Sequence, residues 1–194
     1  MKHLRALLIL SLAALALPVD ALAQAPRREL LPGSRVWVTG TSNKSDWTVN
    51  STAVSGFVLL RAPKDALEIQ GGRFAVPSKT LASEHGVIMD RLMYGALKSG
   101  EHPDIVYELV SATATADAAG KYTLATKGRV TIAGVTKEID QAAAAERAAG
   151  GALKFTGSQP LLMSDFGMTP PTAMFGALRT GNRVVVHFEL LVKP

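Results

Sequence analysis

The chain has 194 residues and a formal net charge of +5, and this length fits one domain with a sizeable hydrophobic core. It contains no cysteine, which excludes disulfide bonds and a structural zinc site built from thiolates. The positive excess is mild and the basic residues are scattered, so the charge gives no indication of nucleic-acid binding.

The N-terminal stretch has the features of a cleavable signal peptide. Two basic residues precede an apolar run at 6–17, and Ala21-Leu22-Ala23 supplies the small residues that a signal peptidase accepts. The run is shorter than the roughly 20 residues needed to cross a bilayer, which disfavours the alternative of an uncleaved anchor. We therefore expect a signal peptide at 1–23, a flexible leader at 24–33, and a periplasmic or secreted mature protein without a membrane span.

From residue 34 onward, apolar and polar residues alternate in segments separated by turn signals, which is typical of strands with one buried face. The pattern predicts a mainly β domain at 34–194, an antiparallel meander of eight strands that closes into a barrel because closure removes exposed edges. The predicted strands are 34–40, 47–61, 66–77, 104–116, 121–133, 135–146, 152–166 and 182–194.

One short amphipathic helix interrupts the strand pattern at about 85–99. Ser83 is the candidate N-cap, Gly100 the candidate left-handed C-cap, and Pro103 prevents continuation. We expect the helix to cover one end of the barrel, although its apolar face could equally complete a dry core. That face comprises Met89, Leu92, Met93, Ala96 and Leu97.

Three other segments require interpretation. The stretch 139–154 is rich in alanine and would be helical on propensity alone, but it lacks large apolar residues at helical spacing, so we assign it as strand. The triplet Asp165-Phe166-Gly167 is predicted to end a strand with Phe166 buried. The loop at 168–181 is unusually apolar, and we expect it to pack against the barrel wall or, as the alternative, to line the barrel mouth.

Four ordered motifs resemble the YceI-like family. They are MDRLMYGALKSGEHPDIVYEL at 89–109, WVTGTSNKSDWTV at 37–49, GRVTIAGVTKEI at 128–139 and SDFGMTPPTAMFGALRTGNRVVVHFEL at 164–190, and the likeness extends over 35–192. The resemblance implies a lipocalin-like antiparallel barrel that is exported to the periplasm and contains a long apolar tunnel. Some members of this family bind polyisoprenoid chains.

The resulting hypothesis is an exported, non-enzymatic protein that holds a hydrophobic chain-like ligand, an isoprenoid or another lipid, inside the barrel. Glu108 marks the outward face of its strand, so Tyr107 is expected to point inward. The alternative is a packed structural barrel without a ligand that acts in envelope stress response or as a protein-interaction module, and a homodimer is compatible with the sequence. The predicted ligand-binding residues are Phe57, Leu59, Ile69, Met89, Met93, Leu97, Ile105, Tyr107, Leu109, Phe155, Met174, Phe175 and Phe188.

No pattern of residues predicts catalysis or a cofactor. The chain has no cysteine and no G-x-S-x-G motif, so a lipid-modifying enzyme would lack an identifiable nucleophile. After signal removal the histidines are His85, His102 and His187, the last on an outward strand face. A metal contact of His85 with Glu84 or Asp90 is a minor alternative to simple solvation.

The signal-peptide assignment predicts the N-terminus of the mature protein. Because Ala21-Leu22-Ala23 ends the signal, N-terminal sequencing of protein recovered from its own host should begin at Gln24. Recovery of a soluble protein that still begins at Met1 would contradict this assignment.

Overall fold

The structure, a computed structural model, describes residues 24–64, 66–84 and 86–193, so the predicted signal peptide at 1–23 lies outside the described residues. Within these ranges the chain forms twelve strands, one α-helix (α1, Val87–Ala96) and four short 3-10 helices. The strands are β1 (Arg27–Glu29), β2 (Arg35–Ser42), β3 (Asp46–Ser51), β4 (Ser55–Arg61), β5 (Glu68–Pro77), β6 (Ala82–Ser83), β7 (Asp104–Ala116), β8 (Tyr122–Ile132), β9 (Val135–Arg147), β10 (Leu153–Leu162), β11 (Thr172–Ala173) and β12 (Leu178–Val192). The 3-10 helices are Ser78–Thr80, Ala149–Gly151, Met163–Phe166 and Met174–Gly176.

All strand pairs are antiparallel, and the strands follow one another in the order β1-β4-β5-β7-β8-β9-β10-β12-β2-β3-β6, with β11 paired to β12. The mainly β, barrel-like class agrees with the prediction, but the count of eight strands is wrong. The predicted segment 47–61 divides into β3 and β4. The additional β1, β6 and β11 have only two or three residues each, too few to give an alternation in sequence.

The two sides of the curled sheet are joined through the segment that follows β1. Leu30 forms a bridge with Val192, the Leu31 N–H donates to the Leu191 carbonyl over 2.7 Å, and the Lys193 N–H donates to the Glu29 carbonyl over 3.1 Å. On its other side β1 pairs with β4. The prediction of a flexible leader at 24–33 is therefore wrong, because this segment closes the sheet.

The β9–β10 ladder is shorter than either strand. It runs from the pair Leu153 and Arg147 to the pair Gly157 and Ala143. Beyond this point Phe166 lies in the apolar cluster that also contains Val135, Ile139 and Leu161 from the two strands, and it is 1% exposed. The prediction that Phe166 is buried is confirmed, and the left-handed Gly167 (φ 63°) ends its 3-10 helix.

The alanine-rich segment is a strand, as predicted. Ala145 of β9 is 1% exposed and lies opposite Tyr122 of β8 on one side and Phe155 of β10 on the other. Both aromatic side chains are buried in the same apolar cluster. A small residue between two large ones leaves space for both rings in the packed core, which explains why alanine is suitable at this position.

The helix α1 is shorter than predicted and its ends differ from the predicted caps. Gly86 precedes it without a side-chain cap, and the Ser83 N–H instead donates a hydrogen bond of 2.9 Å to the Asp90 carboxylate. After the helix, Lys98 adopts the left-handed conformation (φ 50°), a role predicted for Gly100. Ser83 and Gly100 are therefore not its capping residues.

Three strand glycines lie directly beneath aromatic rings of neighbouring strands. A Cβ atom added to Gly40 would lie 2.2 Å from the Trp47 ring, one on Gly128 would lie 2.3 Å from the Tyr107 ring, and one on Gly157 would lie 2.5 Å from the Phe188 ring. No real Cβ atom tolerates such distances. Each ring therefore lies flat on the sheet only because the residue below it is glycine.

Substitution at Gly128 should test this arrangement. In Gly128→Ala the Tyr107 ring must move away from the sheet and lose its contact with Thr126. We expect the free energy of unfolding to fall by about 1–3 kcal/mol, the usual cost of overpacking, in urea denaturation.

Gly95→Ala is the matched control, because Gly95 lies within α1 and a Cβ atom there meets nothing within 4 Å. Alanine has the higher helix propensity, so this variant should be more stable than the wild type by up to about 1 kcal/mol. Equal stabilities of the two variants would contradict the proposed role of the aromatic and glycine pairs.

Candidate functional site

The interior of the sheet contains two apolar cavities that meet. The helix-side cavity has a volume of about 340 Å³ and lies between α1 and the inner faces of β2, β3 and β12. The sheet-side cavity has a volume of about 170 Å³ and is lined by residues of β2, β4, β5, β7, β8, β9, β10 and β12. Ile105 and Val186 line both cavities, so the two adjoin at these residues, and together they are called the tunnel.

The helix supplies much of the wall of the helix-side cavity. The apolar side of α1, as predicted, points toward this cavity. Methionine side chains are flexible, so this part of the wall can adapt to ligands of different shapes. The only charged side chain that the described residues contribute to this wall is Lys44. The helix residues in the wall are Met89, Leu92, Met93, Ala96 and Leu97.

Hydrogen bonds hold the helix in place beside the tunnel. The Tyr94 hydroxyl donates to the carbonyl oxygens of Lys79 (3.0 Å) and Leu81 (2.7 Å). Beyond the end of the helix, the buried Ser78 hydroxyl contacts the Ser99 hydroxyl over 2.8 Å. The helix is thus fixed along one side by polar contacts while its apolar side faces the tunnel.

Strand β7 shows how the sequence sets the wall of the sheet-side cavity. Ile105, Tyr107 and Leu109 line the tunnel, as the alternation predicted. Glu108 points to the outer face, where its carboxylate lies 3.6 Å from the Arg73 guanidinium and 3.2 Å from that of Arg129. These outer ion pairs are exposed, so each contributes little to the stability of the fold.

Tyr107 is half-buried in the sheet-side cavity and finds the hydrogen-bond partner expected for it. Its hydroxyl lies 3.4 Å from the Thr126 hydroxyl, which itself donates to the Gln141 carbonyl over 2.9 Å. Burial raises the pKa of Tyr107, and the hydrogen bond with Thr126 opposes that shift to a smaller extent. The phenol is therefore neutral at physiological pH and acts as a polar contact, not as a base.

Most of the predicted site residues line the tunnel. Met89, Met93 and Leu97 lie in the wall of the helix-side cavity, and Ile105 is at the junction. The predicted residues in the wall of the sheet-side cavity are Ile69, Tyr107, Leu109, Phe155 and Phe188.

Phe57 and Leu59 do not line the tunnel, so the face predicted for them is wrong. In β4 it is Val58 and Leu60 that point into the core, where they are 3% and 1% exposed. Phe57 instead lies under the Arg27 guanidinium, 3.6 Å from its ring centre. The four residues 57–60 are all apolar, so the sequence carries no alternation that would identify the inner face.

Met174 and Phe175 also lie outside the tunnel wall. Met174 is 64% exposed and Phe175 is fully exposed, because both residues and Gly176 have positive φ angles that turn this part of the loop outward. Elsewhere the same loop packs inward as expected, since Met168 is buried and lines the helix-side cavity. Asn43 anchors the loop by donating to the Ala177 carbonyl over 2.9 Å.

Several tunnel residues were not predicted. Trp47 lies within a recognised motif but was not assigned to the wall. Gln141 has the same strand phase as the inward Ile139, and that phase could have identified it within the alanine-rich segment. The other unpredicted wall residues include Val38, Val49, Phe74, Val76, Leu124, Met163 and Gln159.

The histidines do not form a site in the described part of the chain. His187 stacks on Trp37 with ring centres 5.1 Å apart and lies 3.2 Å from the Thr39 hydroxyl, on the side of β12 away from the tunnel. His85 lies outside the described residues, so a contact with Glu84 or Asp90 stays a prediction.

The described ranges contain no group of three or more histidine, cysteine, aspartate or glutamate side chains suited to a metal ion. They also contain no helix long and apolar enough to cross a membrane.

A curled antiparallel sheet around an apolar tunnel, with one amphipathic helix beside it, defines the class as a barrel-like β fold with an apolar interior. The chain belongs to the YceI-like domain family, which matches residues 32–192. No functionally curated protein matches the chain in sequence.

Solved structures share this fold at low sequence identity. BcnA of Burkholderia cenocepacia is 16% identical, with a TM-score of 0.63 over 81% of this chain and 95% of that protein. A polyisoprenoid binding domain from Saccharophagus degradans, implicated in plant cell wall breakdown, is 11% identical, with a TM-score of 0.65 over 86% and 97% of the two chains. The YceI protein of Campylobacter jejuni is 17% identical, with a TM-score of 0.58 over 75% and 84%.

Substitution at Leu109 distinguishes a hollow sheet-side cavity from a packed core. The vacant volume beside Leu109 can accept the added rings of Leu109→Trp, so the melting temperature of lipid-free protein should change by only a few degrees. In a packed core the same change would cost about 1–3 kcal/mol. Val110→Trp is the control, because Val110 is the next residue, points outward and is 55% exposed. A large loss of stability in Leu109→Trp alone would contradict a hollow cavity.

Proposed function

We propose that this protein is exported to the periplasm and binds a hydrophobic chain-like molecule, an isoprenoid or another lipid, without acting on it as an enzyme. The observation that carries the proposal is the pair of apolar cavities that adjoin at Ile105 and Val186. Two adjoining cavities favour a chain over a compact ring system, because a chain can contact both cavities at once.

The sizes of the cavities support this proposal. Together they fall within the roughly 300–1,000 Å³ that is typical of small-molecule sites. The polyisoprenoid binding domain from Saccharophagus degradans, which shares the fold, gives further support for a ligand of this type. The signal-peptide pattern at 1–23 supports export.

Two other functions have less support. A packed structural barrel would fill its interior with side chains, whereas this interior retains two cavities. An enzyme would need an acid, a base or a nucleophile beside its substrate. The ionisable side chains that the described residues place in the tunnel wall are Lys44 at the helix side and the neutral Tyr107.

The junction of the cavities offers a direct test. In Ile105→Trp the indole should obstruct the passage between the cavities, so affinity for a long prenol such as geranylgeraniol should fall by on the order of tenfold or more, as measured by displacement of a fluorescent fatty-chain probe. A short prenol such as geraniol, which one cavity can hold, should bind as it does to the wild type.

Val106→Trp is the matched control, because Val106 belongs to the same strand and does not line either cavity. This variant should bind both prenols like the wild type. Native mass spectrometry of protein purified from its own host should also detect a lipid that organic extraction recovers. Absence of any bound or added lipid in the wild-type protein would contradict the proposed function.

A further inference from the structure

Gln141 places a side-chain amide in the wall of the sheet-side cavity. Gln141 of β9 lines the sheet-side cavity and is 9% exposed. Its backbone carbonyl accepts the Thr126 hydroxyl, but its side-chain amide has no hydrogen-bond partner among the described residues. The amide is not fully enclosed by protein atoms, so its donor hydrogens and acceptor oxygen are open to the space of the cavity.

The neighbouring hydroxyl groups cannot satisfy the amide as donors. Thr126 has one hydroxyl hydrogen and uses it on the Gln141 carbonyl, so in the 3.4 Å contact it is Tyr107 that donates to Thr126. Both hydroxyl hydrogens are then occupied. The Gln141 amide, with two donor hydrogens and one acceptor oxygen, is available to a molecule inside the cavity.

A second amide lies in the same wall. Gln159 of β10 lines the sheet-side cavity, and its only side-chain hydrogen bond among the described residues is to the Pro160 carbonyl at 3.5 Å, the outer limit of a hydrogen bond. The β9–β10 ladder ends at the pair Gly157 and Ala143; Gln159 follows Gly157 by two residues, and Gln141 precedes Ala143 by two. The two amides therefore belong to adjacent strands where those strands are not paired to each other.

The charge of the cavity wall limits what the amides can bind. None of the described residues in the wall of the sheet-side cavity is charged, and Lys44 belongs to the helix-side cavity. A phosphate or carboxylate placed here would lose its hydration without gaining a cation, which is costly. A neutral hydroxyl or carbonyl can instead accept from the amide nitrogen, and a hydroxyl can also donate to the amide oxygen.

We propose that the sheet-side cavity holds the uncharged polar end of an amphiphilic ligand, a hydroxyl or carbonyl group that hydrogen-bonds to Gln141. The apolar chain then extends past Ile105 and Val186 and lies against the methionines of α1. The ligand thus enters with its polar end first. This inference rests on the proposed function and adds to it the class and the orientation of the ligand.

Three ligands with one carbon skeleton test the inference, namely phytol, phytane and phytyl phosphate. Wild-type protein should bind phytol on the order of tenfold more tightly than either phytane or phytyl phosphate, as measured by displacement of a fluorescent fatty-chain probe. In Gln141→Leu the affinity for phytol should fall by on the order of tenfold, whereas the affinity for phytane should be unchanged or higher.

Ala142→Leu is the matched control, because Ala142 is the next residue of β9, is exposed and does not line the tunnel. It should bind all three ligands like the wild type. If Gln141→Leu does not fold, the selectivity of the wild-type protein among the three ligands still decides the question.

The outcomes separate the two proposals. Failure of the wild type to bind any of the three ligands would contradict the proposed function itself. Equal binding of phytol and phytane, or tightest binding of phytyl phosphate, would overturn the inference and leave lipid binding standing. Retention of the wild-type selectivity by Gln141→Leu would likewise overturn the inference and leave lipid binding standing.

Discussion

The tunnel exists because large aromatic residues in its wall lie flat against the sheet. Trp47, Tyr107 and Phe188 all line the cavities, and each covers a glycine of a neighbouring strand. Any side chain at those glycines would push the ring off the sheet. The displaced ring would then occupy part of the tunnel interior. The same rings that give the wall its apolar surface therefore leave the bore open only where glycine lies beneath them.

The wall of the tunnel must also be closed where two strands are not hydrogen-bonded to each other, and it carries a few polar groups. Where β9 and β10 separate, the buried Phe166 fills the gap with apolar contacts in place of backbone hydrogen bonds. Close to the same place, Gln141 and Gln159 bring amide groups to an interior that is otherwise almost entirely apolar. Such an interior selects a ligand by shape along most of its length and by hydrogen bonding at one end.

The sequence predicted side-chain orientation correctly where polar residues marked the outer face of a strand or helix. Glu108 identified the outer face of β7, and the polar residues of α1 separated its apolar face from solvent. It failed in β4, where both faces are apolar, and at Phe175, whose left-handed backbone no propensity indicates for a phenylalanine. The shortest strands depend on partners remote in the chain, so their pairing could not be predicted from local pattern.

The closure of the sheet through β1 has a mechanical consequence. This strand has three residues, and the segment after it reaches β12 through a few backbone hydrogen bonds around Leu30 and Leu31. Detaching so short a seam exposes little apolar surface, so its opening free energy is only a fraction of that of the whole domain. We therefore expect local opening along this line to cost less free energy than separation of β7, β8 and β9, which pair over long ladders.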